Sequence, residues 1–492
     1  MKNTFASINR IPREVLSIIP DYWADEESDE DLITLTHVCR GWRELFTSRP
    51  SLWAHLDCTN IDKTRVYIER SKTSPLKIYL REEEEYPPFL NDAFLLTVPH
   101  LSRLGSLSLS GSSDNLAELT NKHFYSPAPF LEKLRIRFTT VNPHTIKTVI
   151  FDGNLSSLRE LRLSGVLTSL PWKHLSNLTT FDFRQVPCNK ISVTQLLDFF
   201  EHAPLLSKIK LWDAFPNASN APPGRVVPLP HLKELNIIAQ PAHPILLKHL
   251  SIPTGALLVL EFDFDSEKSP IPDYLPKTFK NLNNLSHITS INLHCDKLGM
   301  SLRLDDPSGG LFVYGYWTGA VTSLPVVYRR VLRSLNHFDI SVTNRLAITE
   351  YGTSPPPKTE QSPVYQTLLL MKALRTLVLS DCLNLPFVSA LNPNRTRSGT
   401  VVCPELEELV LYIKTKERFC INELLGMVKE RSSRGAELST ITIVSSQEFV
   451  PAKEVLKLRE YVSLVEYRLD DIVPGWDAIP GDVDDTDYES DW

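Results

Sequence analysis

The sequence lacks the marks of a membrane, secreted or metal-stabilised protein. No apolar run approaches the roughly 18 residues that a membrane-spanning helix needs, so neither a span nor a membrane partner is expected. The opening MKNTFASINR has no apolar stretch, and no signal peptide is expected. The seven cysteines (Cys39, Cys58, Cys188, Cys295, Cys382, Cys403, Cys420) are odd in number and scattered. None stands in a C-x-x-C pair, which argues against a disulfide framework and against a zinc site. Sequons begin at Asn154, Asn177, Asn217, Asn284 and Asn394; without a secretion signal they read as chance occurrences. A reducing location, cytoplasmic or nuclear, fits these absences. There is no GxxxxGK[ST], GxSxG, HExxH or GxGxxG. The histidines are dispersed, and His243 and His249 are badly spaced for ligands on one helix face. No catalytic residue, cofactor or metal is therefore expected, and no enzymatic activity.

An excess of charge is also missing. The 492 residues carry 52 basic and 59 acidic side chains. Seven of the acidic ones fall in Gly475–Trp492, which has no Lys or Arg, and the rest of the chain is neutral at 52 against 52. That balance argues against a nucleic-acid partner. The tail itself reads as disordered, either solubilising or folding back onto a basic patch as a pseudo-substrate. With 42% hydrophobic residues the remainder can bury a core, and its length suits about three domains or one long repeat array.

What is present is a repeat. An apolar triplet at i, i+3, i+5 occurs at Leu104/Leu107/Leu109, Leu131/Leu134/Ile136, Leu158/Leu161/Leu163 and Leu178/Phe181/Phe183. It recurs at Leu206/Ile209/Leu211, Leu232/Leu235/Ile237, Leu257/Leu260/Phe262 and Ile288/Ile291/Leu293. The last copies are Leu335/Phe338/Ile340, Leu374/Leu377/Leu379, Leu406/Leu409/Leu411 and Leu438/Ile441/Ile443. Positions i+3 and i+5 share one face of a short strand. The early spacing of 20 to 31 residues allows one strand and one return segment per copy. This resembles the leucine-rich repeat, although Cys382 alone sits where an asparagine ladder residue would stand. The resemblance implies an α/β fold, a leucine-rich-repeat-like solenoid with a parallel sheet. Val193–His202 and Asn422–Arg431 read as helical returns, and Asn217–Pro230 as a loop. LRLDDPSGGLFVYGYW suggests a hairpin inserted near 300–320, and 352–363 a proline-rich loop.

The residues flanking i+3 and i+5 should face solvent on the concave side. Copies two to five place Lys133, Arg135, Arg137, Arg162, Arg184, Lys208 and Lys210 there against Glu160 and Asp182, with Trp212 at the edge. Copy seven turns acidic at Glu261 and Asp263. Strands lie about 4.8 Å apart, so the cations would form one patch suited to an acidic or phosphorylated protein substrate. The alternative is a charged strand face with no ligand.

Residues 1–60 do not carry the repeat. They read I-P-R-E-V-L from Ile11, an acidic stretch Asp21–Asp31, then L-T-H-V-C-R-G-W-R from Leu35, and P-S-L-W from Pro50. Pro12 suits the first turn of a helix. Val15, Leu16 and Ile19 make one apolar stripe, Leu32, Leu35, Val38 and Cys39 a second, and Trp42, Leu45 and Phe46 a third. This order resembles the F-box, departing at Pro20 and in the acidic stretch. The resemblance implies a small all-α module that docks on a Skp-type adaptor, and through it on a cullin-RING ubiquitin ligase. Ile11, Pro12, Val15, Leu16, Leu35, Val38 and Trp42 would make or hold the adaptor face. The organisation expected is an F-box-like module at 1–60, repeats at 61–474 and the acidic tail at 475–492. The function implied is a substrate receptor, with a ligase-free interaction scaffold as the alternative. The helices could also serve as a cap on the repeat core.

Overall fold

A computed structural model describes residues 11–12, 15–16, 30–81, 89–111, 114–138, 144–146, 150–153, 155–168, 174–186, 191–214, 223–238, 243–262, 275–276, 278–295, 299–306, 309–317, 331–350, 363–380, 384–395, 399–413, 419–445 and 450–469. Ile19, Pro20, most of the acidic stretch, Glu82–Glu85, Asp263, Cys382, the proline-rich loop and the acidic tail lie outside them.

Each well-placed triplet makes a short strand whose alternate side chains are buried. Leu107, Leu134, Leu161 and Phe181 stand side by side in register, as do Leu109, Ile136, Leu163 and Phe183, and all are buried. Position i is buried as well, in the turn before the strand. That turn is tied to its neighbour: Arg159 and Glu160 donate N–H to the Glu132 carbonyl, and Thr179 and Thr180 to that of Arg159. The fold is therefore α/β with a large, mostly parallel sheet.

The chain divides into two compact units near residue 200. Among the described residues, the main sheet of the first carries six parallel strands in sequence order: β1 (His55–Leu56), β2 (Leu76–Arg81), β3 (Leu104–Gly111), β4 (Lys133–Phe138), β5 (Glu160–Ser164) and β6 (Thr180–Val186), and a short parallel pair, His144–Ile146 with Val166–Thr168, lies apart from it. Phe94 meets Phe124 edge-on at a centroid distance of 5.6 Å, and Phe124 stacks on Phe151 at 5.2 Å. The second unit holds β7 (Lys208–Ala214), β8 (Glu234–Ile238), β9 (Leu257–Glu261), β10 (Ser290–Cys295), β11 (Gly299–Asp306), β12 (Gly309–Tyr316), β13 (Arg345–Glu350), β14 (Thr376–Ser380), β15 (Glu408–Ile413), β16 (Thr440–Ser445) and β17 (Leu464–Leu469). The returns are helical at Val193–His202 and at Ile421–Ser432, with Val193, Leu196, Leu197 and Phe200 buried as the stripe requires. Val227–Pro228, expected as loop, is a two-residue strand beside Leu250–Ser251.

Three readings need correcting. The seventh triplet slips by two residues: Leu258 and Leu260, not Leu260 and Phe262, align with Leu235 and Ile237. The ninth is Thr343/Leu346/Ile348, because Leu346 and Ile348 pair with Ile291 and Leu293. Leu335 belongs instead to the helical turn 331–335, where spacing of three also buries a residue. Thr343 can replace leucine in the core because its hydroxyl donates to the Ile288 carbonyl at 2.8 Å. The hairpin is real, but it lies within the sheet. β12 pairs parallel with β9, β11 is antiparallel to both β12 and β10, and β10 resumes the parallel order with β13. Asn284 is buried and donates to the Gly310 carbonyl at 2.8 Å, so that sequon cannot carry a glycan in the folded chain.

Gly309 opens β12 where a Cβ would stand 2.5 Å from the Ala256 carbonyl oxygen and 2.6 Å from that of Thr254. Gly309→Ala should lower stability by about 1–3 kcal/mol, read from the urea midpoint of the full chain. An unchanged midpoint would show that the hairpin is not wedged against these carbonyls.

Candidate functional site

The N-terminal module is built from short helices around a few large side chains. The Pro12 carbonyl accepts from the N–H groups of Val15 and Leu16, both at 3.0 Å, so a helical turn opens at Pro12 as expected. Helices α1 (Glu30–Val38) and α2 (Arg40–Thr47) are separated by Cys39, which is fully extended. The two stripes read from Leu32 to Phe46 thus belong to two helices. Arg43 Nε donates to the Thr36 carbonyl at 3.0 Å and ties α2 back to α1. Phe46 is buried, with Trp42 edge-on at 5.6 Å.

Trp53 joins this module to the sheet. Its indole N–H donates to the Phe46 carbonyl at 3.0 Å. Its ring meets Tyr67 of α3 (Ile61–Ser71) edge-on at 5.0 Å, and the Arg70 guanidinium covers it at 4.3 Å. Two residues later the chain is already in β1, paired with β2. Among the adaptor-face candidates only Leu16 is buried. Val15 and Val38 are 48% and 49% exposed, which places both at the surface. Pro12 is exposed, and Ile11, Leu35 and Trp42 are half-buried. Ile33, which the sequence pattern did not single out, is a further exposed apolar residue on α1.

The second candidate is the face of the first unit's sheet that points away from the core. Register sets it out in three rows. Lys77, Ser106, Lys133, Glu160 and Thr180 form one, and Tyr79, Ser108, Arg135, Arg162 and Asp182 the next. The third runs Arg81, Ser110, Arg137, Ser164, Arg184. The two acids are both engaged. Arg135 Nε donates to Glu160 Oε1 at 2.8 Å, and Arg162 Nε lies 2.8 Å from the same oxygen in a second ion pair. Arg184 grips the buried Asp182 through two hydrogen bonds of 2.8 and 2.6 Å. Lys77 and Arg81 were missed because β2 has Pro75 in place of the first apolar residue and a bulge at Leu76/Lys77, which hides the triplet.

Lys208, Lys210 and Trp212 lie on β7 in the second unit. Lys208 Nζ is 3.1 Å from Glu234 Oε2, and Lys210 Nζ stands 5.9 Å from the centre of the Trp212 ring. Glu261, the acid of copy seven, accepts from the Tyr314 hydroxyl at 2.6 Å. Among the described residues no three His, Cys, Asp or Glu side chains gather as metal ligands. Burial pushes the Cys58 and Cys403 thiols up to about 12, so neither is a thiolate at neutral pH. No described helix is long and apolar enough to cross a membrane.

Glu160 is the half-buried counter-charge for two arginines. Glu160→Gln should cost about 1.5–3 kcal/mol, since it removes the half-buried charge that Arg135 and Arg162 both face. Urea unfolding of this variant at low and high salt checks it; the loss should shrink as salt rises. A loss indifferent to salt would assign Glu160 a packing role instead.

A family model described as F-box-like matches residues 8–59, spanning the module from before Ile11 to just past β1. No curated protein matches the chain.

Proposed function

We propose that the chain is the substrate-recognition subunit of a cullin-RING ubiquitin ligase of the SCF type, and that it is not itself an enzyme. Its N-terminal module would dock on a Skp-type adaptor, and its strand repeats, a leucine-rich-repeat-like solenoid, would hold the substrate. The observation that carries this reading is the F-box-like match over residues 8–59 on a module that keeps apolar side chains at its surface. Leu16, Phe46 and Trp53 fill its interior, while Val15, Ile33 and Val38 stay exposed. Exposed aliphatic groups on a small helical module suit contact with a partner. The solenoid reading is supported by the recurring buried triplet and the turn-to-turn hydrogen bonds between successive strands.

A ligase-free scaffold is the second reading. It is favoured by the way Trp53 and β1 tie the helices into the sheet, as a terminal cap would be tied. Adaptor capture separates the two. The full chain should retain a purified Skp-type adaptor at micromolar concentration, and Val15→Asp with Val38→Asp should weaken capture at least about tenfold while circular dichroism stays unchanged. Absence of capture by the unmodified chain would favour the scaffold.

A further inference from the structure

We propose that β17 is a docking edge for a second copy of this chain, the two β17 strands pairing antiparallel about Tyr467. β17 closes the second unit's sheet. It pairs with β16 over six residues without a break in register, and among the described residues no strand pairs with it on its other side. The Leu464 N–H donates to the Ser439 carbonyl at 3.0 Å, so Leu464 turns its backbone groups towards β16. Alternation along the strand turns those of Val465, Tyr467 and Leu469 the other way. β1, the first strand of the other unit, is kept to two residues, a length that offers little to an incoming strand. In β17 no proline, lysine or bulge interrupts Leu464–Leu469. Arg459 covers part of this edge, its Nη2 donating to the Val465 carbonyl at 3.3 Å, and that carbonyl keeps a second lone pair for a further N–H.

The order of the side chains selects a second copy as the occupant. Val465, Glu466, Tyr467, Arg468 and Leu469 run apolar, acid, aromatic, base, apolar. Antiparallel pairing about Tyr467 sets Glu466 opposite the other copy's Arg468, and Arg468 opposite its Glu466, on the face away from the buried Val465. These are the non-hydrogen-bonded positions of the new pair, where Cα atoms stand about 4.5 Å apart and side chains meet most closely. Val465 falls opposite the other copy's Leu469, which is 65% exposed. Moving the two-fold axis by one residue would set Glu466 on Glu466 or Arg468 on Arg468, so charge fixes the register. Within one copy Arg468 Nε donates to Glu466 Oε2 at 2.9 Å, and the exposed guanidinium has further N–H groups for a second carboxylate. The chain beyond Leu469 holds no Lys or Arg, so it offers Glu466 no cation and matches this edge less well than a second β17 does.

The pairing is independent of adaptor docking, and its test uses the full chain alone. Sedimentation equilibrium between about 1 and 100 µM should show single chains giving way to pairs. Backbone hydrogen exchange at Leu464–Leu469 should slow as the concentration rises. Glu466→Arg and Arg468→Glu should each raise the dissociation constant at least about tenfold, because each sets like charges opposite one another twice. An equimolar mixture of these two variants should pair again, since two arginines then meet two glutamates. A chain that stays single to about 100 µM, or a dimer whose exchange at Leu464–Leu469 ignores concentration, would overturn the proposal. So would single variants, folded by circular dichroism, that pair as tightly as the unmodified chain, or a mixture of the two that stays apart.

Discussion

The hydrogen-bond ladder between neighbouring parallel strands governs the rest of this structure. A strand of five to eight residues cannot satisfy its own N–H and C=O groups, and in a parallel sheet it cannot pair with a strand a short turn away. Each strand of the first unit pairs instead with one that follows after a return segment. The turn before each strand adds its own link to the previous one, as Glu160 to Glu132 and Thr180 to Arg159. In-register pairing then fixes two things together. The triplet leucines fall into continuous buried rows, and the outward residues fall into equally continuous surface rows. A charge pattern that looks scattered along the sequence becomes a line on the sheet.

That constraint also shows what the sequence could reveal. Where both strand positions are Leu, Ile or Phe and a large apolar residue precedes them, as at Leu131/Leu134/Ile136, the frame is plain and the burial follows. It fails where the chemistry substitutes for apolarity. Thr343 is buried through a hydrogen bond, so the apolar frame falls instead on Leu335/Phe338/Ile340, which helical spacing explains equally well. Val462 and Val465 are buried, and Tyr467 stands beside Ile443, so V-x-x-V-x-Y is a last copy that valine and tyrosine disguise. The cations of the candidate patch were visible residue by residue. Their ion pairs to Glu160 and Asp182 were not, because these depend on side-chain reach rather than on sequence order. Lys77 and Arg81 were hidden with the strand that carries them.

The helical module and the sheet share a joint rather than a linker. Trp53 belongs to the segment that resembles the F-box, yet its ring is held by Tyr67 and Arg70 of α3, and β1 follows at once. A buried tryptophan with a satisfied indole N–H and a covering guanidinium resists rotation, so α2, and α1 tied to it through Arg43, are presented from a fixed base. Rigid attachment suits a cap and suits a receptor equally. A receptor has to hold its cargo at a defined position relative to whatever docks on the module, and a flexible linker at this point would lose that definition.

The ion pairs on the first unit's face bear on selectivity in the same way. A sheet face lined with unrestrained lysines attracts any anion and orders none. Here Asp182 is buried and holds Arg184 in a two-point grip, while Glu160 draws Arg135 towards the strand that carries Arg162. These contacts lower the net charge, and they also restrict the arginine rotamers. Because fewer conformations are lost on binding, less of the interaction energy is spent on ordering the site. A ligand must then match the spacing of the arginines as well as their sign. The serines add to this, since Ser110 and Ser164 leave room between longer neighbours, and the buried Ser164 hydroxyl is itself fixed by donating to Gln185 Oε1 at 3.3 Å. Selectivity on such a face comes from register: the ladder that buries the leucines also sets the distance between guanidiniums.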